Sequence, residues 1–124
     1  MESYALVRPE HLNHFGNLFG GQLLKWVDQF AWLVATREHP GCTFVTRALQ
    51  DVEFRHQVKG GAILHFDCRQ AARGQTAVHY DVKVYAQTPG DADESVVFTT
   101  RVTFVNLGPD GGKAAIETAA SPTR

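Results

Sequence analysis

The sequence predicts an α+β fold in which one long central helix is wrapped by a curved antiparallel sheet of about five strands. Two observations support this prediction. The run from Gln22 to about Arg37 contains no glycine or proline and has a wide apolar face, which suits a helix covered by a sheet. Much of the remaining chain alternates apolar and polar residues in segments separated by turn-forming residues, as antiparallel strands do. Periodicity alone does not select one fold among the α+β layouts.

One short strand is predicted before the helix and four longer strands after it. The first runs from Ser3 to Val7 and ends at Arg8, because the residue before a proline disfavours helix. The later strands are predicted over 42–54, 62–72, 76–86 and 95–107. A short turn around Gly74 joins two of them as a hairpin. Periodicity is lost after residue 112, so we expect a single domain over 1–112 and a flexible tail over 113–124.

The strand over 42–54 carries polar residues on the side predicted to face the helix. Strict alternation puts Phe44, Thr46, Ala48, Gln50, Val52 and Phe54 on that side. Thr46 is therefore a candidate to orient a water molecule beside the helix. The alternative is a threonine that is satisfied by a neighbouring carbonyl group and is present for its strand propensity.

Asp28 lies at the border between the apolar and polar faces of the predicted helix. At about 100° per residue the apolar positions cover roughly 200° of arc, and Asp28 falls at the edge of that arc. A carboxylate in such a place is partly desolvated, and without a partner its charged form is unfavourable in free energy. It is therefore a plausible base. The alternative is an ordinary i, i+3 ion pair with Lys25.

The glycine pair Gly20 and Gly21 comes just before the predicted helix. Backbone N–H groups at a helix start lack partners within the helix, and the helix dipole favours developing negative charge there. Glycine lets a ligand approach these groups closely, which is what an oxyanion requires. The alternative is a glycine pair needed for close packing of the helix against the sheet.

Gly21 and Asp28 are too far apart in one helix to act on the same carbonyl group. Seven residues correspond to about 10 Å along the helix axis, whereas each group must approach the reacting atoms to about 3 Å. Two such helices running antiparallel across a two-fold axis would bring Gly21 of one chain opposite Asp28 of the other. A catalytic role for this segment therefore predicts an obligate dimer with two shared sites.

Composition narrows the classes of partner and location. A formal net charge of −1 over 124 residues gives no overall attraction to nucleic acid or to an anionic membrane. We expect no signal peptide and no membrane span. Cys42 and Cys68 lack metal-type spacing and are expected to be reduced and buried, which favours a cytoplasmic location. The six histidines form no ligand cluster, so no metal is expected.

The segment from Asn13 to Asp28, NHFGNLFGGQLLKWVD, resembles the signature of hotdog-fold acyl-CoA thioesterases, in particular the cytosolic acyl-CoA hydrolase branch. The resemblance extends through Thr43 to Phe54, the Gly60 region and the segment 73–76. It implies a hotdog fold and an enzyme that hydrolyses an acyl-CoA thioester to a free carboxylic acid and coenzyme A. It also implies that no metal or redox cofactor is used.

The resemblance assigns roles to four residues. Asp28 corresponds to the general base or nucleophile, and the backbone N–H of Gly21 to the donor that polarises the thioester carbonyl. Asn13 corresponds to a residue that assists at this carbonyl. Thr46 corresponds to a hydroxyl residue that orients the attacking water.

Other positions in the resemblance are supporting or depart from the pattern. Gly20 and Asn17 are expected to support the site, although some relatives carry aspartate at the position of Asn17. Phe19 stands where others carry histidine, which removes any argument for a histidine at the carbonyl. The candidates for binding the coenzyme A phosphates are Arg73, Gly74 and Gln75, and then Arg55 and Lys59.

Hydrolysis of an acyl-CoA by a homodimer, assembled further into a tetramer or hexamer, is the function that these features favour. One alternative is a hotdog dehydratase or hydratase, but such relatives generally need a histidine beside the acidic residue, and the segment 20–37 has none. The other alternative is a non-catalytic acyl-CoA-binding sensor. The sequence lacks the attached DNA-binding segment or strongly basic patch of such a regulator.

Overall fold

The computed structural model describes residues 1–116 and consists of one helix and five strands. The elements are β1 (Glu2–Leu6), α1 (Gly20–Glu38), β2 (Phe44–Phe54), β3 (Ile63–Arg73), β4 (Ala77–Gln87) and β5 (Ser95–Asn106). The predicted helix and all five predicted strands are therefore confirmed, with ends that differ by at most two residues. A short 3-10 turn over Pro9–His11, which the sequence analysis did not predict, precedes the helix.

The strands form one antiparallel sheet in the order β1-β3-β4-β5-β2. The predicted hairpin joins β3 to β4, which pair along almost their whole length. Strands β1 and β2 lie at the two edges. Because β2 is long and pairs only with β5, one of its sides presents unpaired backbone groups.

The core lies between α1 and one face of the sheet. Leu23, Val27, Ala31, Val34 and Ala35 bury the inner stripe of the helix. Core-facing residues of the central strands, including Leu64, Phe66, Val82 and Phe104, are also buried. Leu33 is exposed although it belongs to the apolar arc, and Trp32, one turn on from Asp28 and outside that arc, is exposed as well. No helix within residues 1–116 is long and apolar enough to cross a membrane.

The prediction of strict alternation along β2 is wrong beyond Thr46. Thr46 pairs with Phe104 and shares its core-facing side, as predicted. The register then shifts before Ala48, and Gln50 pairs with Arg101 on the outer face. One extra residue in a strand moves all later side chains to the opposite face. Gln50 is therefore not a helix-facing residue.

A second irregularity in β2 turns the later side chains back to the side on which Thr46 lies. It lies between Gln50 and Glu53, where Asp51 has a φ of 53°, a left-handed conformation that aspartate tolerates better than most residues. Phe54 then pairs with Phe98 on the core-facing side. The two bulges thus turn Thr46 and Phe54 toward the helix at opposite ends of the same edge strand.

The fold continues past the domain end predicted at residue 112. The backbone N–H of Ile116 donates to the carbonyl of Gln75 at 2.7 Å, and the Ile116 side chain is buried. The Asn106 side chain donates to the carbonyls of Ala114 and Ala115. Residues 113–116 therefore close the end of the core, and the remainder of the predicted tail lies outside the described residues.

A histidine clamp on the outer face joins β1, β3 and the β4–β5 loop. The ring of His65 lies between those of Tyr4 and Tyr85, with centroids 4.8 and 5.2 Å away. Its Nε2 lies 2.7 Å from Glu2 and its Nδ1 lies 3.0 Å from Glu94. Burial by itself lowers the pKa of His65, but the hydrogen bonds to Glu94 and Glu2 outweigh it, so the pKa is raised above 6.5.

We expect this clamp to make stability depend on pH. A raised folded-state pKa stabilises the protein fully below the unfolded value of about 6.5, and the stabilisation is lost as pH rises through the folded pKa. The difference in Tm between wild type and His65→Gln should therefore be largest near about pH 6 and shrink toward about pH 9. Thermal melts across this range test it, with the exposed loop variant His14→Gln as control. A difference that stays constant with pH would contradict the expectation.

Candidate active site

A hydrogen bond joins the helix carboxylate to the edge strand. The Thr46 hydroxyl donates to Asp28 Oδ1 at 2.6 Å. Near the start of β2, the indole N–H of Trp32 donates to the carbonyl of Phe44 at 3.0 Å. The hydroxyl of Thr46 is thus satisfied by the carboxylate rather than by a neighbouring carbonyl. The structure therefore brings Asp28 and Thr46 together within one chain.

The other carboxylate oxygen of Asp28 has room for a further partner. Asp28 is partly buried, and within the described part of the chain its Oδ2 accepts no hydrogen bond. The alternative ion pair with Lys25 does not form among these residues. A carboxylate with one oxygen fixed and the other open can accept a proton from a water molecule beside it.

The start of α1 presents two unpaired backbone donors. Its N-cap residue, Phe19, is extended and provides no side-chain cap. The carbonyl of Phe19 accepts from the N–H groups of Gln22 and Leu23, at 3.0 and 3.2 Å. Among residues 1–116 the N–H groups of Gly20 and Gly21 have no acceptor. These two donors and the helix dipole are suited to an anionic oxygen.

Two aromatic rings pack against the glycine pair. A Cβ atom at Gly21 would lie 2.6 Å from Phe19 Cε2, and one at Gly20 would lie 3.4 Å from Phe54 Cε1. Gly20 thus packs against the sheet through the side chain of Phe54, as the packing alternative requires, whereas Gly21 meets only Phe19 in the loop before the helix. The two rings flank the open N–H groups.

The loop before the helix fixes the side chain of Asn13. Its Oδ1 accepts from the backbone N–H groups of Phe15 and Asn17, at 2.9 and 3.2 Å. The amide nitrogen has no acceptor in the described part of the chain, so it is available as a donor. Asn13 is thus oriented by its own turn with its donor unused.

Asn17 ties this loop to the segment after β2. Its Nδ2 donates to Gln57 Oε1 at 3.2 Å, and its backbone bridges to Lys59. The Oδ1 atom is buried and has no hydrogen-bond partner among residues 1–116. These contacts hold the loop before α1 against the segment after β2, and the supporting role of Asn17 stays a prediction.

The two halves of the predicted site do not meet within one chain. Gly20 lies against Phe54 at the end of β2, whereas Asp28 bonds Thr46 near its beginning. Seven helical residues also separate Gly21 from Asp28, which is about 10 Å along the axis. A single carbonyl group cannot contact both within one chain.

The coenzyme A candidates fall into two groups. Arg73 shares a row of the sheet with Thr46, through the paired residues Val78 and Phe104. Its guanidinium donates to the carbonyl of Ile116 at 2.7 Å. The N–H of Gly74 donates to the carbonyl of Ala77 at 2.8 Å and closes the turn, so it is already used. Gln75 lies in the same turn and is exposed.

The second group lies near the helix start. Arg55 follows Phe54 and pairs with Glu53 at 2.9 Å, with both side chains largely exposed. Lys59 is exposed and forms no ion pair in the described part of the chain. Arg55 is therefore on the same side of the molecule as Gly20, whereas Arg73 is on the side of Asp28 and Thr46.

A pocket of about 220 Å³ opens beside the helix start. It is lined by Leu18, Gly20, Leu23, Phe54, Arg55, His56, Gln57 and Val58. Strand alternation predicts Phe54 only as a helix-facing residue, and His56 belongs to no predicted site. An aromatic residue at the end of a strand, followed by three polar residues, is the signal that could have marked this wall.

A larger depression of about 550 Å³ lies on the outer face of the sheet but holds none of the predicted site residues. Arg69 pairs there with Asp67, and Arg101 with Asp81. Within each pair the two opposite charges neutralise each other on a solvated surface. The depression therefore offers no convergent chemistry comparable to that of the helix start.

A long helix with an open N-terminus, wrapped by a five-stranded antiparallel sheet of this order, defines the hotdog class of proteins. The chain belongs to the thioesterase superfamily, whose family model matches residues 15–93.

Individual relatives agree with this assignment. The mouse (Mus musculus) protein acyl-coenzyme A thioesterase 11 is 33% identical over 100 residues, covering 81% of this chain and 17% of that protein. The chain thus spans about a sixth of the length of this relative. The crystal structure of an acyl-CoA hydrolase from Bacillus cereus superposes with a TM-score of 0.86 at 26% identity, covering 96% of this chain and 75% of that one. A hexameric thioesterase from Yersinia pestis has the same fold, with a TM-score of 0.84 at 19% identity and coverage of 94% and 93%.

Proposed function

We propose that the chain hydrolyses an acyl-CoA thioester to a free carboxylic acid and coenzyme A. The observation that carries this proposal is the 2.6 Å hydrogen bond between Thr46 and Asp28, which holds a carboxylate and a hydroxyl together beside the open edge of β2. Membership of the thioesterase superfamily supports the reaction class. The names of the mouse and Bacillus cereus relatives supply the substrate class.

Asp28 is the residue that drives the attack on the thioester. A water molecule held by Thr46 and Asp28 attacks the carbonyl carbon and gives its proton to the carboxylate. The tetrahedral intermediate then collapses, the carbon–sulfur bond breaks, and the leaving thiolate takes the proton. If Asp28 attacks directly, water hydrolyses the resulting anhydride and the products are the same.

The negative oxygen of the intermediate is stabilised at the helix start. The backbone N–H of Gly21 donates to it, with Gly20 beside it, and the free amide donor of Asn13 assists. Such donors act where charge develops and are already oriented before the reaction. No step of this mechanism draws on a metal or a redox cofactor.

The proposed enzyme is a homodimer whose two sites are each shared between chains. A two-fold axis beside β2 would set the end of one strand, with Phe54 and Gly20, against the beginning of its partner, with Thr46 and Asp28. The unpaired edge of β2 supports this arrangement because a second strand satisfies its backbone groups. The dimers assemble further into a tetramer or a hexamer, and the hexameric relative from Yersinia pestis supports such assembly.

Coenzyme A is held near the dimer axis by basic side chains. The guanidinium of Arg73 and the N–H of Gln75 approach from one chain, and Arg55 and Lys59 from the other. The two sets come from different chains because Arg73 lies on the side of Asp28 and Thr46, whereas Arg55 lies on the side of Gly20. The proposed location of the enzyme is the cytoplasm, where the buried thiol of Cys68 stays reduced. Burial raises the pKa of this thiol to about 12.

Release of free thiol from acyl-CoA tests the proposal. The purified protein should turn over at least one member of a panel of short, medium, long and aromatic acyl-CoAs. Binding without release of thiol would instead identify a sensor. Addition or loss of water on an enoyl- or hydroxyacyl-CoA, without release of thiol, would identify a hydratase or dehydratase.

A further inference from the structure

The pocket beside the helix start has an apolar floor and a polar mouth. Leu18, Leu23 and Val58 form the floor and are buried. Arg55, His56 and Gln57 form the opposite side and are exposed to solvent. Because Gly20 also lines it, the pocket begins at the unpaired backbone donors. An apolar chain attached to a carbonyl group held there would enter this space directly.

Phe54 forms one wall of this pocket and is unusually exposed for a core-facing aromatic residue. The residue is 53% exposed, yet its ring lies 3.4 Å from the position that a Cβ atom on Gly20 would take. It also packs against the ring of Phe98, with centroids 4.9 Å apart. The ring is thus supported from behind and presents its free side to the pocket. An aromatic ring that is packed on one side and exposed on the other is suited to contact with a ligand.

We propose that this pocket holds the acyl chain of the substrate and that Phe54 sets the chain length accepted. The inference rests on the proposed thioesterase function and names its substrate class. The ligand is a linear, saturated acyl chain of short to medium length. Its carbonyl lies at Gly20 and Gly21, and its tail lies on Leu18, Leu23 and Val58.

The size of the pocket limits the chain. The pocket has a volume of about 220 Å³, which suits a short to medium acyl tail rather than a long one. A longer chain must displace the Phe54 ring or pass into water between Arg55 and His56. Each additional carbon of such a chain then lies in water and makes no apolar contact with the pocket.

Substitutions at Phe54 test the assignment. Phe54→Ala opens the wall, and Phe54→Trp narrows the pocket. Val52→Ala is the matched control because Val52 is also partly exposed on β2 but does not line the pocket. The readout is kcat/KM by thiol release for saturated acyl-CoAs from two to sixteen carbons. Circular dichroism melts establish that each variant is folded.

The expected result is a change in the shape of the chain-length profile. Burial of one more methylene is worth roughly a fourfold gain in kcat/KM, so Phe54→Ala should raise the preference for long over short chains by about tenfold or more. Phe54→Trp should move the optimum to shorter chains, and Val52→Ala should leave it in place. If both Phe54 variants change all chain lengths by one common factor, the assignment is wrong although the enzyme is a thioesterase. If wild type releases no thiol from any acyl-CoA, the proposed function itself fails.

Discussion

Replacing Asp28 by asparagine should lower kcat by about 10²–10⁴-fold, which is the contribution expected of a general base. The amide is nearly isosteric and still accepts the hydrogen bond from Thr46, so the local fold is preserved. It cannot take a proton from water or attack the carbonyl carbon. KM should change little, because Asp28 acts on the transition state rather than on the bound substrate. Steady-state thiol release gives both constants.

The matched control for this variant is Asp51→Asn on β2. Asp51 is exposed, and its left-handed backbone suits asparagine as well as aspartate. This control should keep wild-type activity. If Asp28→Asn retained kcat within about threefold of wild type, the carboxylate would have no chemical role and the site would have to be placed elsewhere.

Replacing Gly21 by proline should lower kcat/KM by about 10²–10³-fold, because one oxyanion donor is worth roughly 2.7–4 kcal/mol. Proline removes the N–H but is tolerated in the first turn of a helix, where this donor has no partner within the chain. The new side chain also meets the ring of Phe19, at 2.6 Å for its Cβ. The effect of the missing donor must therefore be separated from this contact.

Gly21→Ala makes that separation. Its Cβ meets the same Phe19 ring, which is 58% exposed and free to turn away, but its N–H remains. Activity should decrease from wild type to Gly21→Ala and again to Gly21→Pro. The larger decrease should lie between the two variants. Equal losses in Gly21→Ala and Gly21→Pro would show that shape, and not the hydrogen-bond donor, controls activity at this position.

Much of the fold was predictable because its signals are local. The uninterrupted apolar run of α1 and the alternation in β3 and β4 each depend on neighbours within a few residues. The position of Asp28 at the border of the apolar arc follows from the same periodicity. For Thr46 the sequence could predict only that its side chain faces the helix. Its distance from Asp28 depends on how α1 crosses β2.

The bulges in β2 escaped prediction for a physical reason. A bulge adds one residue to a strand without changing the composition around it, so the period of two appears unbroken in the sequence. Asp51 is the only local hint, because aspartate tolerates a positive φ. Without the bulges Gln50 would face the helix.

Long-range closure also escaped prediction. Ile116 sits in the core because the chain folds back after β5 and bonds to the turn around Gln75. The segment 107–116, LGPDGGKAAI, carries no periodic signal for this return. The proposed division of the site between two chains, by contrast, was inferred from the spacing of Gly21 and Asp28 along one helix.

A mixed-subunit measurement tests this division most directly. Asp28→Asn and Gly21→Pro chains with different tags are co-expressed, and the hybrid fraction is purified through both tags. In a hybrid dimer one site has lost both groups, whereas the other keeps an intact Asp28 and an intact Gly21. The account predicts that the hybrid regains about half of the wild-type activity per dimer, far above either parent. A hybrid no more active than its parents would contradict it.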